Sequence, residues 1–417
     1  MTRPQPTLAH LDALTGVRAL AALWVFAYHA WLAGGAKPVT ATLAGLHADL
    51  TPWFAFGWLG LDIFFILSGF LLTRQEWIRH EREGAARPAT GARRFRDFYA
   101  TFLRNRVVRV YPAYYGCLTL LLALAATHLY LHLPGRVELL LHLGMMHNAI
   151  EAYIATMNGV FWTLPFEWTF YLVFPFLFVF LVRSGPWLLA AWVVAIVLAA
   201  KTIVLASDDG FMQTQLPIRL DSFVFGMCAG RFAARSPLAG RLASVAFWVG
   251  LVALMSTPIL FADLPTGNHY YNFKGFVRPL WIELGVILML LGMTGERHPG
   301  VAIFGNRVAV ALGLISYSIY LLHVPVMEMF IIHRAKLGPL ATLPYGLPLV
   351  LAVALPLVLL ASALSYKLIE QPFQRHRAWR GRYFSGGGRG LLGRVDPLLV
   401  LLGWAVLLMA ARELLTR

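Results

Sequence analysis

The sequence predicts an all-α, polytopic transmembrane helix bundle, and three observations carry that expectation. Hydrophobic residues make up 59% of the 417 and charged ones only 13%, more apolar surface than one water-soluble core can bury. These residues gather in blocks of about 20, the length at which a helix crosses ~30 Å of hydrocarbon. Lys and Arg gather in alternate connections, the asymmetry that marks loops retained in the cytoplasm.

Ten blocks are long enough, and in chain order they are 13–34, 53–73, 112–133, 161–182, 186–206, 216–233, 243–261, 276–293, 308–332 and 344–368. The run "PLLVLLGWAVLLMAA" at 397–411 is apolar but short, and reads either as a thin eleventh span or as a helix lying in the interface. Residues 74–109, between the second and third blocks, hold ten arginines, and 367–394 hold seven Lys and Arg. The alternate connections carry Lys37, Arg136 or, from 207 to 215, neither type. The N-terminus is therefore expected in the cytoplasm, with the chain in a bacterial-type inner (plasma) membrane.

The net charge of +15 follows from this asymmetry and suits anionic lipid heads, which argues against nucleic acid as a partner. A cleavable signal peptide ending near Ala33 to Ala36 competes for the first block, but Asp12, Arg18 and His29 suit neither its charged start nor its apolar middle. Cys117 and Cys228 sit on different spans and read as small core residues. The expected division is a membrane domain over 1–373, a basic Gly/Arg-rich cytoplasmic linker over 374–396 and a short apolar C-terminal helix over 397–417.

Ionisable residues inside the apolar blocks are the functional signal, because charges in hydrocarbon are costly and face a cavity or one another. In "LDALTGVRALAALWVFAYHAWLAGG", Arg18 and His29 are eleven residues apart. At about 100° per residue they share one helix face, separated by roughly 16 Å along the axis. Arg18 would then lie in the inner leaflet and His29 in the outer half. Glu167, His323, Glu283, Lys201 and Arg219 fall at a similar outer depth, suggesting a polar chamber open to the outside. Arg106 and Arg109 are neighbours on one helix face where the third block leaves the cytoplasm. They read either as plain positive-inside arginines or, with Arg18, as a phosphate-binding set.

An imidazole beside a carboxylate is a general base suited to taking a proton from an alcohol, and it equally suits a proton-coupled transporter or flippase of an envelope glycan or lipid. The transporter would be expected to carry an inverted repeat, and none is visible. His128 and His132 stand one turn apart without a third ligand in register, so no metal is expected. The rings of Trp53, Trp58, Trp162 and Trp168 sit at span ends, as an interfacial belt or as platforms for a sugar.

The motifs resemble those of the acyltransferase family 3 membrane proteins, over residues 11 to about 373. Arg18 and His29 fit the family's basic residue, ten positions and a histidine. "GWLGLDIFFILSGFLLT" is similar to its Phe-Phe-x-x-Ser-Gly motif at Phe64, Phe65, Ser68 and Gly69, and "RNRVVRVYPAYY" carries its Arg-x-x-Arg at Arg106 and Arg109. "FWTLPFEWTFYLVFP" resembles its glutamate motif, giving Glu167 and Trp168. "IRLDSFVFGMCAG" with Arg219 and Asp221, "LGLISYSIYLLHVPV" with His323, and "IEQPF" match later landmarks. There are departures: Ala13, Leu14 and Thr15 stand where Gly-Leu-Arg is common, and Thr163 replaces a serine while keeping a hydroxyl.

The resemblance implies O-acylation: transfer of an acyl group, often acetyl, from cytoplasmic acyl-CoA to a hydroxyl of an envelope saccharide or glycolipid, such as lipopolysaccharide or exopolysaccharide. No bound cofactor is expected, with acyl-CoA (acetyl-CoA above all) as co-substrate. His29 would be the general base, with Glu167 or His323 orienting it or binding the acceptor. Arg106, Arg109 and Arg18 would hold the CoA phosphates. Ser68 either offers its hydroxyl to an oxyanion or, with Gly69, lets helices approach closely; the packing role is favoured. Some family members continue into an external esterase-like domain, an activity that here would be expected from another protein.

Overall fold

The computed structural model describes residues 8–43, 46–83, 92–127, 133–206, 215–262, 273–295, 298–336, 343–374 and 396–416. The paired histidine positions His128 and His132, the Lys201 side chain and all but the ends of the 374–396 linker lie outside the described residues. The chain divides into two units, residues 1–89 with 178–316 and residues 90–177 with 317–417.

The first unit opens with α1 (Leu8–Ala33), then a short antiparallel hairpin of β1 (Thr40–Leu43) and β2 (Leu46–Asp49) in register Thr40 to Asp49. Asp49 accepts the Thr51 backbone N–H at 2.8 Å, which starts α2 (Thr51–Ala55) and leads to α3 (Leu59–Glu83). The end of α6 (Leu164–Arg183), α7 (Pro186–Ala206), α8 (Leu216–Arg235), α9 (Gly240–Leu260) and α10 (Phe273–Gly292) follow. The unit closes with α11 (Gly300–Phe304) and α12 (Arg307–Leu314), whose N-cap Asn306 accepts from Val308 and Ala309. Leu14, Val17, Phe56, Ile63, Ile66, Phe70, Phe247, Leu254 and Met289 form its core.

Helices in this unit meet backbone to backbone. A Cβ built on Gly69 of α3 would overlap the Phe223 carbonyl of α8, and one on Gly226 or Gly230 of α8 would overlap the Ile66 or Phe70 carbonyl of α3. Small residues at such crossings let apolar helices gain dispersion contact where lipid offers no hydrophobic drive.

The second unit contains α4 (Ala92–Ala126), α5 (Arg136–Leu143), the start of α6, and α13 (Ser316–His333) from its second residue. It ends with α14 (Leu347–Ser365), a π-helical turn at Tyr366–Glu370, and α15 (Pro397–Leu415). Pro372 has no N–H for the Leu368 carbonyl within this turn, which favours the wider winding. The α15 helix is capped by Asp396, which accepts from Leu398 N, and is held to α4 by the 2.6 Å Arg104–Asp396 ion pair.

The all-α fold is as expected apart from the hairpin. Among the described residues, six helices are long and apolar enough to cross a membrane, over Asp12–Ala33, Arg93–Ala126, Phe161–Arg183, Gly240–Leu260, Leu347–Gln374 and Pro397–Leu415. Three details differ from the sequence expectation. The 397–411 run grows to 19 residues, long enough to span. The 308–332 run is two helices, broken at Ile315, where a Cβ on nearby Gly313 would strike the Thr15 carbonyl. The third block begins far earlier, because the arginine-rich stretch before it is itself helical.

Candidate functional site

In the first unit, α1 presents Arg18 and His29, both half-buried. The His29 Nδ1 lies 3.0 Å from the Val25 carbonyl one turn back. A carbonyl oxygen only accepts, so Nδ1 carries the proton and Nε2 is the basic nitrogen. The Tyr28 ring stands edge-on to the imidazole, centroids 5.0 Å apart.

The same unit buries a polar layer between α3, α8 and α10. Arg219 donates to Asp62 at 2.9 Å, Ser222 donates to Glu283 at 2.8 Å, and Asp221 accepts the Ser222 backbone N–H. Arg278, 1% exposed, lies over the Trp58 ring, 5.1 Å from its centroid. Of the Phe-Phe-x-x-Ser-Gly motif, Phe65 packs on the Phe223 ring at 4.9 Å, Phe64 rests against the apolar core, Ser68 is half-buried and Gly69 marks the close approach to α8.

In the second unit the early start of α4 makes Arg106 and Arg109 its fifteenth and eighteenth residues of 35, counting from Ala92. They therefore lie mid-helix, with 20 residues of α4 following Arg106. Arg106 stands over the rings of Phe102 and Tyr171, 5.5 and 5.8 Å from their centroids. Tyr171 is one turn beyond Glu167 on α6 and donates its hydroxyl to that carboxylate. The separation of levels expected between these arginines and Glu167 is thus bridged by a single tyrosine.

Arg109 pairs with Glu370 at 3.5 Å. Glu370, placed by the π-helical turn, also accepts from Ser318 at 2.7 Å and Gln374 at 3.3 Å. Thr163 shares a hydrogen bond with Tyr320, and Tyr320 donates to the Val160 carbonyl at 2.7 Å. The fully buried His323 has Nδ1 at 3.0 and 2.8 Å from the Ile319 and Tyr320 carbonyls, which fixes its tautomer as in His29. Trp168 meets the Tyr111 ring edge at 5.1 Å.

Sequence reasoning passed over Tyr171, Ser318 and Glu370, although Glu370 stands in the quoted "IEQPF" and Tyr171 follows Glu167 by one helical turn. It also missed a buried histidine pair between α4 and α6. The rings of His142 and His147 stack with centroids 4.1 Å apart, His142 Nε2 contacts the Thr156 hydroxyl at 3.1 Å, and His147 Nε2 donates to the Phe161 carbonyl at 3.0 Å. Burial pushes His147 down to about 4 and His142 well below the ordinary imidazole value, with His147 beside it adding to the effect. Among the described residues, no group of three or more His, Cys, Asp and Glu could hold a metal ion.

Comparison with known proteins places these residues in a family. Residues 11–367 match the model of the acyltransferase domain of acyltransferase family 3, the stretch that includes Arg18, His29, Arg106, Arg109, Glu167, Arg219 and His323. The chain is 26% identical over 346 residues to the exopolysaccharide production protein ExoZ of Rhizobium meliloti, covering 79% of this chain and 92% of that one. It is 22% identical over 429 residues to the O-acetyltransferase OatA of Staphylococcus aureus, covering 94% of this chain and 62% of that one; it thus spans about three fifths of the length of that relative. No solved structure matches. The helices that are long and apolar enough to span a bilayer and the match across most of the chain together establish an integral membrane protein that belongs to acyltransferase family 3.

Proposed function

We propose that the protein is an acyl-CoA-dependent O-acyltransferase. It moves an acetyl group from cytoplasmic acetyl-CoA to a hydroxyl of an envelope saccharide, with the chain crossing the inner membrane ten or eleven times from a cytoplasmic N-terminus. The observation that carries this reading is the family match over residues 11–367. The relatives' names, an exopolysaccharide production protein and an O-acetyltransferase, support a saccharide acceptor and an acetyl group.

His29 is the general base in this reading. Its Nδ1 is committed to the Val25 carbonyl, so Nε2 accepts the proton of the acceptor hydroxyl as that oxygen attacks the thioester carbonyl. Arg106 and Arg109, with Arg18, take the CoA phosphates, a role suited to guanidinium forks. Glu370 keeps Arg109 ordered through the 3.5 Å pair, and Tyr171 holds Glu167 in place, which with His323 and Trp168 serves the acceptor. Arg219 and Asp221 support the site through the buried polar layer, and Gly69 and Ser68 through helix packing.

The test follows labelled acetyl-CoA into the polysaccharide fraction of membrane vesicles for the wild type, His29→Ala and Arg106→Ala at matched protein levels. Transfer should vanish with His29→Ala and weaken in Arg106→Ala through a higher apparent KM for acetyl-CoA. A His29→Ala protein that transfers normally refutes the base assignment, and an inert wild type would return the proton-coupled transporter to first place.

A further inference from the structure

The hydroxyl oxygen of Tyr317 is buried and has no hydrogen-bond partner among the described residues. A buried phenol normally finds one, because an unmade bond in a dry site carries the full desolvation cost of the group. Polar neighbours are close: Tyr317 is within electrostatic reach of Glu167, Glu370, Tyr114 and Tyr171. Each is committed elsewhere. Tyr171 donates to Glu167, Glu370 serves Ser318, Gln374 and Arg109, and Tyr114 donates to the His142 carbonyl at 2.9 Å. The next tyrosine on the same helix, Tyr320, is satisfied by Thr163 and the Val160 carbonyl. Tyr317 is thus a donor held in the first turn of α13, beside the Arg109–Glu370 and Tyr171–Glu167 contacts, for which the described residues provide no acceptor.

We propose that Tyr317 is a catalytic hydrogen-bond donor to the carbonyl oxygen of the acyl thioester, an inference that rests on the acyl-transfer reading above. As the acceptor oxygen adds to the carbonyl carbon, the C=O electron pair moves onto oxygen, where the phenolic O–H stabilises it without giving up its proton. On collapse the C–S bond breaks. The sulfur leaves as a thiolate and takes up the proton released by the acceptor hydroxyl, so ester and CoA thiol form with no further reactant. A neutral carbonyl suits this position better than a phosphate, since the carboxylates of Glu167 and Glu370 lie within electrostatic reach of the Tyr317 hydroxyl.

The experiment compares the full chain with Tyr317→Phe, which removes only the oxygen, in vesicles supplied with labelled acetyl-CoA, counting label in polysaccharide. The expected result is a loss of kcat on the order of a hundred- to a thousandfold, as for other oxyanion donors. The KM for acetyl-CoA should stay within about twofold, and the thermal midpoint should not fall, because the hydroxyl makes no hydrogen bond among the described residues. Wild-type kcat in Tyr317→Phe overturns the assignment while leaving the acyl-transfer reading intact. A lowered midpoint that accounts for the lost activity also overturns it, by making the hydroxyl structural. A wild type that transfers no label overturns the acyl-transfer reading and this inference with it.

Discussion

Asp62 and Arg219 form a 2.9 Å ion pair with side chains only 7% and 9% exposed, joining α3 to α8 inside the first unit. Removing one partner leaves the other buried without this counter-charge, which costs more than the pair itself contributes. Asp62→Ala should therefore destabilise the protein by about 3–5 kcal/mol, read as a lower thermal midpoint in detergent. The double variant Asp62→Leu with Arg219→Met should recover most of that loss; a double variant as unstable as the single one would contradict the counter-charge account.

The α3–α8 crossing makes a steric prediction. A Cβ at Gly226 would overlap the Ile66 carbonyl and crowd the Phe70 nitrogen, and backbone cannot swing aside as a side chain can. Gly226→Val should cost about 1–3 kcal/mol or more and lower the yield of folded protein. By contrast, Gly403→Ala on α15, where a new Cβ meets nothing within 4 Å, should be silent. Equal yields and midpoints for the two variants would count against the close crossing.

The His142–His147 stack predicts an acid limb. An unfolded imidazole has its ordinary value of 6.5, whereas burial holds folded His147 at about 4. The unfolded chain therefore binds protons first as pH falls. The stability contributed is complete above pH 6.5 and is lost as pH drops through about 4, amounting to about 3 kcal/mol at 1.36 kcal/mol per pKa unit. Thermal midpoints between pH 7 and 4 should fall more steeply for the wild type than for His147→Leu. Parallel curves would show that the pair does not resist protonation.

Asp396 serves α15 twice, as its N-cap and as the partner of Arg104 at 2.6 Å. A lost cap costs about 1 kcal/mol and a half-exposed ion pair less. Asp396→Ala should loosen the start of α15 without unfolding the rest, which limited proteolysis after residue 396 can detect. A protection pattern identical to the wild type would place the anchoring elsewhere, for example in the Arg136–Glu413 pair at the other end.

The sequence made the helical class and the family legible because apolar block length and motif spacing are local properties. α1, α6 and α9 begin and end close to the blocks that predicted them. Two features lay beyond local reading. The helical extension of α4 is rich in arginine, and arginine is a good helix former that breaks an apolar count without breaking a helix. The break at Ile315 falls inside the 308–332 block with neither a proline nor a charge beside it to mark it. Contacts such as Arg109 with Glu370, 261 residues apart in the chain, have no periodic signature. Sequence spacing located Arg106 and Glu167 separately; Tyr171 stands one helical turn beyond Glu167, but within an aromatic run nothing local shows that it bonds that carboxylate.

The bond from His29 Nδ1 to the Val25 carbonyl ties a proton position to the main chain instead of to a neighbouring side chain. Every interior residue of a helix has a carbonyl four positions earlier, so the acceptor is present whatever side chain occupies residue 25. The arrangement is thereby insulated from substitution: no exchange of a side chain elsewhere deletes the oxygen that fixes which imidazole nitrogen carries the proton. A carboxylate that orients a histidine can be lost in one mutational step, whereas this orienter can be lost only by unwinding the helix.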